Sequence, residues 1–354
     1  MPRRSLVEMG FAKTEVNLAV IAKKLGVSAS TVSRALRNSP SIHPTTRERV
    51  LEVARSLGYQ VENRNKSPQA NRTVLMLSQA GDASVDGAYL SGLSAASVEQ
   101  NLTLISHHSR PEDCERLLDP QFQPNVLRSG EAQGVILLHR WPDSVVRYLA
   151  DRIPVVTVVH TYPGVLLDCI GIQEREGMSL LVAHLVAQGA RKIGFFGFCR
   201  EVSWSRSRFG AYVEALAENG LPFQQDLVVE TSLAETLDER QLADLAGASK
   251  VFQKMGEGVR HWVGASENLS QSIHGLALAR GLSIPRDLAL TGFHGASGSR
   301  AYGRPILTTT LSSSEELGAA ALRRLVTRIT NPNESRRTIL LPCEFLQGES
   351  TLAT

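Results

Sequence analysis

Apolar residues near the start of the chain recur with the period of an α-helix, and the pattern predicts three short helices. Gly26 is expected to end the first, Ser28 to cap the second and Pro44 to begin the third. Two short helices joined by a tight glycine turn, with a third beneath them, form a helix-turn-helix arrangement. Their inward residues are Leu18, Ile21, Ala22 and Leu25, then Val32, Ala35 and Leu36, then Val50, Val53, Ala54 and Leu57.

The charge of the chain is concentrated in this helical head. Positions 1–66 contain 12 Lys and Arg residues and 5 Asp and Glu residues, a net charge of +7, whereas the whole chain has a net charge of only +3. A small helical cap with a charged outer face would also explain the periodicity. A basic head on a mildly acidic body instead indicates that the head contacts a polyanion, and the helix-turn-helix arrangement indicates DNA.

The outward face of the second helix carries the candidate base-reading residues. We expect the helix Ala29–Arg37 to lie in the major groove, where Arg34 can make paired hydrogen bonds to a guanine edge. Short hydroxyl side chains suit phosphate contacts better than base reading. The candidate DNA-binding residues are Ser28, Ala29, Ser30, Thr31, Ser33, Arg34, Arg37 and Arg47.

Residues 60–72 are polar and lack periodicity, which indicates a linker, and strands and helices alternate after it. This alternation predicts parallel sheets with helices on both faces, arranged as two α/β halves that divide near residues 160–168. The predicted strands are Thr73–Gln79, Leu102–Ser106, Val135–Leu138, Val155–Val159, Cys169–Ile172, Ile193–Phe196, Leu227–Val229, Trp262–Gly264 and Leu288–Gly292. The predicted helices are Tyr89–Asn101, with Leu90, Leu93 and Val98 facing inward, Met178–Gln188, Arg208–Asn219, Thr236–Lys254 and Leu269–Arg280.

The run LAVIAKKLGVSASTVSRALRN, followed by TRERVLEVARSLGY, resembles the head of the lactose-repressor (LacI/GalR) family. Segments such as HLVAQGARKIGFFG, RFGAYVEALAENGL and ALARGLSIPRDLALTGFHG resemble the body of that family in the same order. The resemblance implies a two-lobed body like a periplasmic binding protein, with two doubly wound parallel sheets and three chain crossings between the lobes. It also implies a small-molecule effector that changes the affinity for operator DNA.

The resemblance gives the expected domain boundaries. The head with its N-terminal arm is 1–59, the hinge is 60–72 and the body is 73–354. Lobe 1 is expected to contain 73–165 and 298–330, and lobe 2 to contain 166–297 and 331–354. The family often forms a hinge helix with an apolar wedge on DNA, whereas here Pro68 occupies the expected wedge position and disfavours a helix. We therefore expect a tether, or a wedge shifted to Val61 or Ala70.

Polar and aromatic residues follow the predicted strand ends, where open α/β sheets bind ligands. Two of them match family positions: Arg208 matches an Arg that commonly touches ligand, and His294 stands where the family usually has Asp. The departure at His294, with several basic residues nearby, makes a sugar acid or sugar phosphate plausible beside a neutral sugar. The candidate effector-binding residues are Gln79, Tyr89, His139, Arg140, His160, Trp204, Arg208, Ser266 and His294.

Together these observations predict a cytoplasmic, homodimeric transcriptional repressor that binds a pseudo-palindromic operator and a small polar effector. The helix Glu315–Ile329 is expected to supply Leu317, Ala320, Ala321 and Val326 for packing in the dimer. We expect no cofactor, no metal and no membrane contact, and the chain shows no nucleophile elbow or phosphate loop of an enzyme. The alternatives are a purine effector, an architectural DNA binder without effector, and a stand-alone solute receptor.

Overall fold

The computed structural model describes residues 18–36, 42–57, 72–79, 83–232, 246–294, 300–301 and 304–351. The chain divides into two compact units, Met1–Asn71 and Arg72–Thr354. The predicted linker therefore lies outside the described residues, except for Arg72, which opens the first strand of the body. Within these ranges, no helix combines the length and the apolar character that a membrane crossing needs.

The head unit contains the three predicted helices, α1 (Leu18–Leu25), α2 (Ala29–Leu36) and α3 (Pro44–Ser56). Gly26 follows α1 with a φ of 66°, a conformation that glycine adopts without steric cost. The buried core of this unit consists of Ile21, Ala22, Val32, Ala35, Val50 and Ala54, all of which were predicted to face inward.

The body unit alternates strands and helices, as predicted. Its strands are β1 (Arg72–Gln79), β2 (Leu102–Ser109), β3 (Ala132–Leu137), β4 (Val155–Val158), β5 (Asp168–Ile172), β6 (Ile193–Phe198), β7 (Val228–Glu230), β8 (His261–Gly264), β9 (Ala289–Thr291), β10 (Arg300–Ala301), β11 (Arg304–Pro305), β12 (Thr309–Leu311), β13 (Thr338–Leu341) and β14 (Glu344–Leu346). Its helices are α4 (Ala83–Glu99), α5 (Asn125–Arg128), α6 (Asp143–Ala150), α7 (Glu174–Ala187), α8 (Ser203–Glu218), α9 (Ala246–Gly256), α10 (Glu267–Ala279) and α11 (Ser314–Thr330).

Two parallel sheets organise the body. The first has six strands in the order β13-β5-β4-β3-β1-β2, and the second has four in the order β7-β6-β8-β9. All neighbouring strands in both sheets run parallel, as the alternation of strands and helices predicted.

The predicted division between the lobes is wrong at two strands. We expected Cys169–Ile172 and residues 331–354 in lobe 2, but β5 pairs with β4 and β13 pairs with β5, so both strands belong to the first sheet. The chain first leaves lobe 1 after Ile172 rather than near residues 160–168. A fully buried apolar strand has the same appearance in either sheet, so its sequence pattern does not reveal which neighbour it pairs with. The final residues do reach lobe 2, where the hydroxyl of Ser350 donates to the carbonyl of Leu290.

Helix α11 packs inside the body rather than on its outside. Its Leu317 and Ala321 are fully buried in the core that they share with Leu93 of α4. The expectation that these two residues supply a dimer contact is therefore wrong. In α4, Leu93 is buried as predicted, but Leu90 and Val98 are 38% and 79% exposed, because only one side of α4 faces α11 and the sheet.

A buried ion cluster fixes α11 to the first sheet. The carboxylate of Asp168, at the start of β5, is fully buried and accepts hydrogen bonds from Arg324 at 2.7 Å and Arg328 at 2.7 Å. The backbone N–H of Arg337 donates to the same carboxylate at 2.9 Å, which positions the chain for entry into β13. These donors hold the pKa of Asp168 below its ordinary value although burial alone would raise it.

Candidate functional site

In the head, hydrogen bonds between neighbouring residues order the start of α2. The hydroxyl of Ser28 accepts a hydrogen bond from the backbone N–H of Thr31 at 3.1 Å, as expected for a helix cap. The same hydroxyl lies 2.8 Å from the hydroxyls of Ser30 and Thr31. Val32 and Ala35 are buried, so the opposite face of α2 is the one available to a partner.

Most of the predicted DNA-binding residues lie on or beside that face of α2, whereas Arg47 lies on α3. Ser28, Ala29, Ser30 and Arg34 are exposed, whereas Thr31, Ser33 and Arg47 are half-buried. Arg34 lies in the last turn of α2. Arg37 lies outside the described residues. Side chains that are small near the start of the helix and longer towards its end leave room for the helix to approach a groove while Arg34 reaches a base edge.

In the body, the carboxyl ends of strands from both sheets surround a cavity of about 170 Å³, which we name the strand-end cavity. Seven of the nine predicted effector-binding residues line it, although they come from six separate segments of the chain. These seven are Tyr89, His139, His160, Trp204, Arg208, Ser266 and His294. Residues up to 205 positions apart in the sequence thus meet in one cavity. They were predicted from the rule that ligands bind beyond the carboxyl ends of parallel strands.

Two predicted residues, Gln79 and Arg140, do not line the cavity. The amide of Gln79 donates to the backbone carbonyl of Arg140 at 2.5 Å. The guanidinium of Arg140 pairs with Asp143 at 2.6 Å and lies over the ring of Tyr162, so its charge is engaged within lobe 1. Both residues hold the turn after β3 in place beside the cavity.

Arg208 is the central cation of the cavity, and it is almost fully buried. Its Nε donates to Glu174 at 3.1 Å, and its Nη1 donates to the carbonyl of Ala265 at 2.8 Å. The guanidinium also lies over the rings of Trp204 and Phe293, at 4.6 and 4.3 Å from their centroids. An Arg held between two aromatic faces and paired with a carboxylate has a fixed orientation and a largely compensated charge.

Two histidines offer polar atoms to a ligand. The Nδ1 atoms of His160 and His294 are buried and have no hydrogen-bond partner among the described residues. Burial, with Arg208 nearby as a further cause, lowers the pKa of each histidine to about 3. Both imidazoles are therefore neutral near pH 7, and each presents one donor and one acceptor rather than a positive charge.

The cavity also concentrates unusual backbone conformations. His139, Val159 and His294 have φ values of 65°, 65° and 55°, and they follow or end three different strands. A positive φ is rare for a residue other than glycine, above all for a β-branched one, and such residues occur often at ligand sites.

Several further residues of the lining were not among the predicted effector-binding residues. Glu267 and Asn268 follow Ser266 at the start of α10, and Phe293 precedes His294. Glu267 is buried and its backbone N–H donates to the carbonyl of Phe293 at 3.0 Å, which joins the ends of β8 and β9. Their position directly beside two predicted residues, after strand ends, was the signal that could have identified them.

Comparison with known proteins agrees with this division into head and body. Residues 17–62 match the model for bacterial regulatory proteins of the lacI family, and residues 182–351 match the model for a periplasmic binding protein-like domain. The HTH-type transcriptional regulator GalR of Escherichia coli (strain K12) is 29% identical over 298 residues, 82% of each chain. Catabolite control protein A of Priestia megaterium is 24% identical over 339 residues, 94% of this chain and 99% of the relative.

Solved structures share the fold. The transcriptional regulator CelR in complex with cellobiose is 21% identical, with a TM-score of 0.66 over 95% of this chain and all of that one. The lac repressor dimer bound to operator is 19% identical, with a TM-score of 0.61 over 96% of this chain and 99% of that one. A lacI-type helix-turn-helix head joined to a body of periplasmic-binding-protein type characterises one family of DNA-binding proteins. The chain belongs to the lacI family of bacterial regulatory proteins and is a DNA-binding transcriptional regulator.

Proposed function

We propose that the protein is a cytoplasmic homodimeric repressor that binds a pseudo-palindromic operator. Its affinity for this operator changes when a small neutral polar ligand, of the size and character of a sugar, binds in the strand-end cavity. The observation that carries the proposal is the buried pair His160 and His294, whose Nδ1 atoms face no partner among the described residues. A buried polar atom without a hydrogen bond costs free energy, so these atoms favour a ligand that supplies the bond.

The charges in the cavity favour a neutral ligand over the sugar acids and sugar phosphates that the sequence also suggested. Arg208 is compensated by Glu174, both histidines are neutral, and Glu267 adds a carboxyl group to the lining. An anionic ligand would meet no uncompensated cation among the lining side chains. The complex of the structurally similar CelR with cellobiose supports a neutral sugar as the ligand class.

Two-fold symmetry supports the operator part of the proposal. A dimer presents two α2 helices, and two identical reading helices require two related half-sites. The similar lac repressor is a dimer on its operator. The proposal assigns no catalytic step to the chain.

A mobility-shift titration tests the proposal. An operator is first selected from a random DNA library with the full chain, and its affinity is then measured with and without neutral sugars, sugar acids and purines. We expect at least one neutral sugar to change the operator affinity, and sedimentation of the free protein to give a dimer. Operator binding that no small molecule changes would favour an architectural role instead.

A further inference from the structure

A second cavity adjoins the strand-end cavity. Its volume is about 490 Å³, and Val159 and Trp204 line both cavities, so these two side chains form a shared wall. A third connection is the ion pair of Arg208, which lines the first cavity, with Glu174, which lines the second. We name the second space the edge cavity, because β13, at the edge of the first sheet, forms part of its floor.

The floor of the edge cavity is one face of the sheet. Cys169 and Gly171 on β5 pair in register with Thr338 and Leu340 on β13. Alternate residues of a strand point to the same face, so all four positions face the cavity. Leu340 is 49% exposed, which means that the protein itself leaves this part of the sheet only partly covered.

The opposite wall is polar but uncharged. Ser203 and Ser207 from the start of α8 line it, and the hydroxyl of Ser203 accepts a hydrogen bond from the backbone N–H of Thr161 at 3.2 Å. Three ionic groups stand at the margin, Glu174, Arg175 and Glu176. Glu174 pairs with Arg208 and Arg175 pairs with Glu214, so the cavity offers a ligand no uncompensated cation among these groups. Hydroxyl groups beside an indole and a leucine suit a neutral, hydroxylated ring.

The sizes of the two cavities indicate how they are used. Small-molecule sites typically have volumes of about 300–1,000 Å³. The strand-end cavity, at about 170 Å³, is smaller than this range, whereas the edge cavity, at about 490 Å³, lies within it. A ligand that fills only the strand-end cavity would leave the larger adjoining space empty.

We propose that the effector has two units, with the first held in the strand-end cavity and a second neutral hydroxylated unit held in the edge cavity. Trp204 lies at the junction, fixed by its contact with the guanidinium of Arg208, and determines which ligand lengths fit. This inference rests on the proposed function and specifies the ligand as disaccharide-like.

Calorimetric titration of the full chain with matched probes tests the inference. The probes are glucose with cellobiose and maltose, and galactose with lactose and melibiose. We expect at least one disaccharide to bind roughly tenfold more tightly than its monosaccharide, because it gains the contacts of the second cavity. Thr338→Trp should fill the edge cavity and weaken that disaccharide by about tenfold, while the affinity for the monosaccharide changes by less than about twofold.

Ile339→Trp is the matched control. It adds the same indole at the next position of β13, on the opposite face, and should leave both affinities within about twofold of the original. Leu340→Trp is the second test variant, on the same face as Thr338, and thermal unfolding checks that each variant folds.

The outcomes separate the two proposals. If a monosaccharide binds as tightly as its disaccharides, or if both edge-cavity variants leave disaccharide binding unchanged, the two-unit ligand is wrong while the proposed function stands. If no probe binds but the operator does, the sugar-like effector is wrong and the two-unit ligand with it.

Discussion

Arg34 is the residue on which sequence specificity is expected to depend most. Exposed in the last turn of α2, it can make paired hydrogen bonds to a guanine. Arg34→Ala should weaken binding to the selected operator by about 1–3 kcal/mol and relax the preference at one base pair. Arg49→Ala, which removes an exposed Arg from α3, serves as the control and should weaken operator and random DNA alike. Equal losses on both DNAs for Arg34→Ala would make Arg34 a phosphate contact.

The two cavity histidines predict a pH dependence of stability. In the unfolded chain each takes up a proton as the pH falls below about 6.5, but in the folded chain its pKa is about 3. Between these values the unfolded state binds more protons, so the free energy of unfolding rises with pH by up to about 1.4 kcal/mol per pH unit for each histidine.

Urea unfolding between pH 4.5 and 7.5 measures this slope. All three tryptophans lie in the body, so their fluorescence reports on that unit. The double variant His160→Gln and His294→Gln should have a smaller slope than the original chain. His43→Gln, in the head, should leave the slope unchanged. An unaltered slope in the double variant would contradict the neutral state of the two histidines.

At this scale the sequence predicted which residues meet but not where every side chain points. Seven candidates line one cavity because the carboxyl ends of parallel strands lie at the same edge of a sheet, and this holds whatever side chains the strands carry. Arg140 follows His139, whose left-handed backbone conformation turns the chain. The Arg140 side chain then pairs with Asp143, three positions later, instead of lining the cavity. No local rule assigns a positive φ to a histidine, so the sequence could not exclude Arg140 from the cavity.

Helices α4 and α11 approach each other closely at two glycines. A Cβ at Gly92 would overlap the backbone carbonyl of Glu315, and a Cβ at Gly318 would overlap that of Tyr89. Because backbone atoms on both helices would have to shift, Gly92→Ala should lower the free energy of unfolding of the body by about 1–3 kcal/mol.

Gly87 provides the control within the same helix. No described atom lies within 4 Å of a Cβ built there, so Gly87→Ala should raise stability by up to about 1 kcal/mol through helix propensity. Urea unfolding followed by tryptophan fluorescence gives both values. Similar changes of the same sign in the two variants would rule out close packing as the reason for glycine at position 92.

The ion cluster around Asp168 makes α11 dependent on β5. Asp168→Asn would leave Arg324 and Arg328 buried with their main counter-charge removed, at a cost of about 3–5 kcal/mol. Arg323→Ala, on the same helix but in an exposed pair with Glu99, should cost less than about 1 kcal/mol. Glu334 also pairs with Arg324, at 2.8 Å. A small loss for Asp168→Asn in urea unfolding would contradict the prediction and show that Glu334 is a sufficient counter-charge.

Element types followed from the sequence, but sheet membership did not. Helical and strand periods predicted nine of the ten described strands of the two parallel sheets, all but β13, and the large helices, because these patterns record which face is buried. The short strands β10, β11, β12 and β14 were not predicted. The pairing of β5 with β13 joins residues 169 positions apart, such as Cys169 and Thr338, and no local pattern records a contact of that range. The helix predicted to begin at Thr236 is described only from Ala246, and its first part lies outside the described residues.

For the whole molecule on DNA, the hinge remains a prediction from the sequence, since residues 60–71 lie outside the described ones. With Pro68 at the expected wedge position, we predict a weakly bent operator and a steep fall of affinity with salt. Pro68→Leu should increase the bend measured by energy transfer across the operator, where bending costs about 1–6 kcal/mol. Gln69→Leu is the control, and a strongly bent operator with the original chain would contradict the prediction.

The order of strands in the first sheet also bears on how the protein is made. Its edge strand β13 ends at Leu341, and its central helix α11 ends at Thr330, whereas the head has its own core within the first 57 residues. At roughly 5–20 residues per second, translation separates these events by on the order of 15–60 seconds. For that time a growing chain has synthesised the whole head but not the edge strand of the first sheet, so the head can fold before the body that we propose to regulate it is complete.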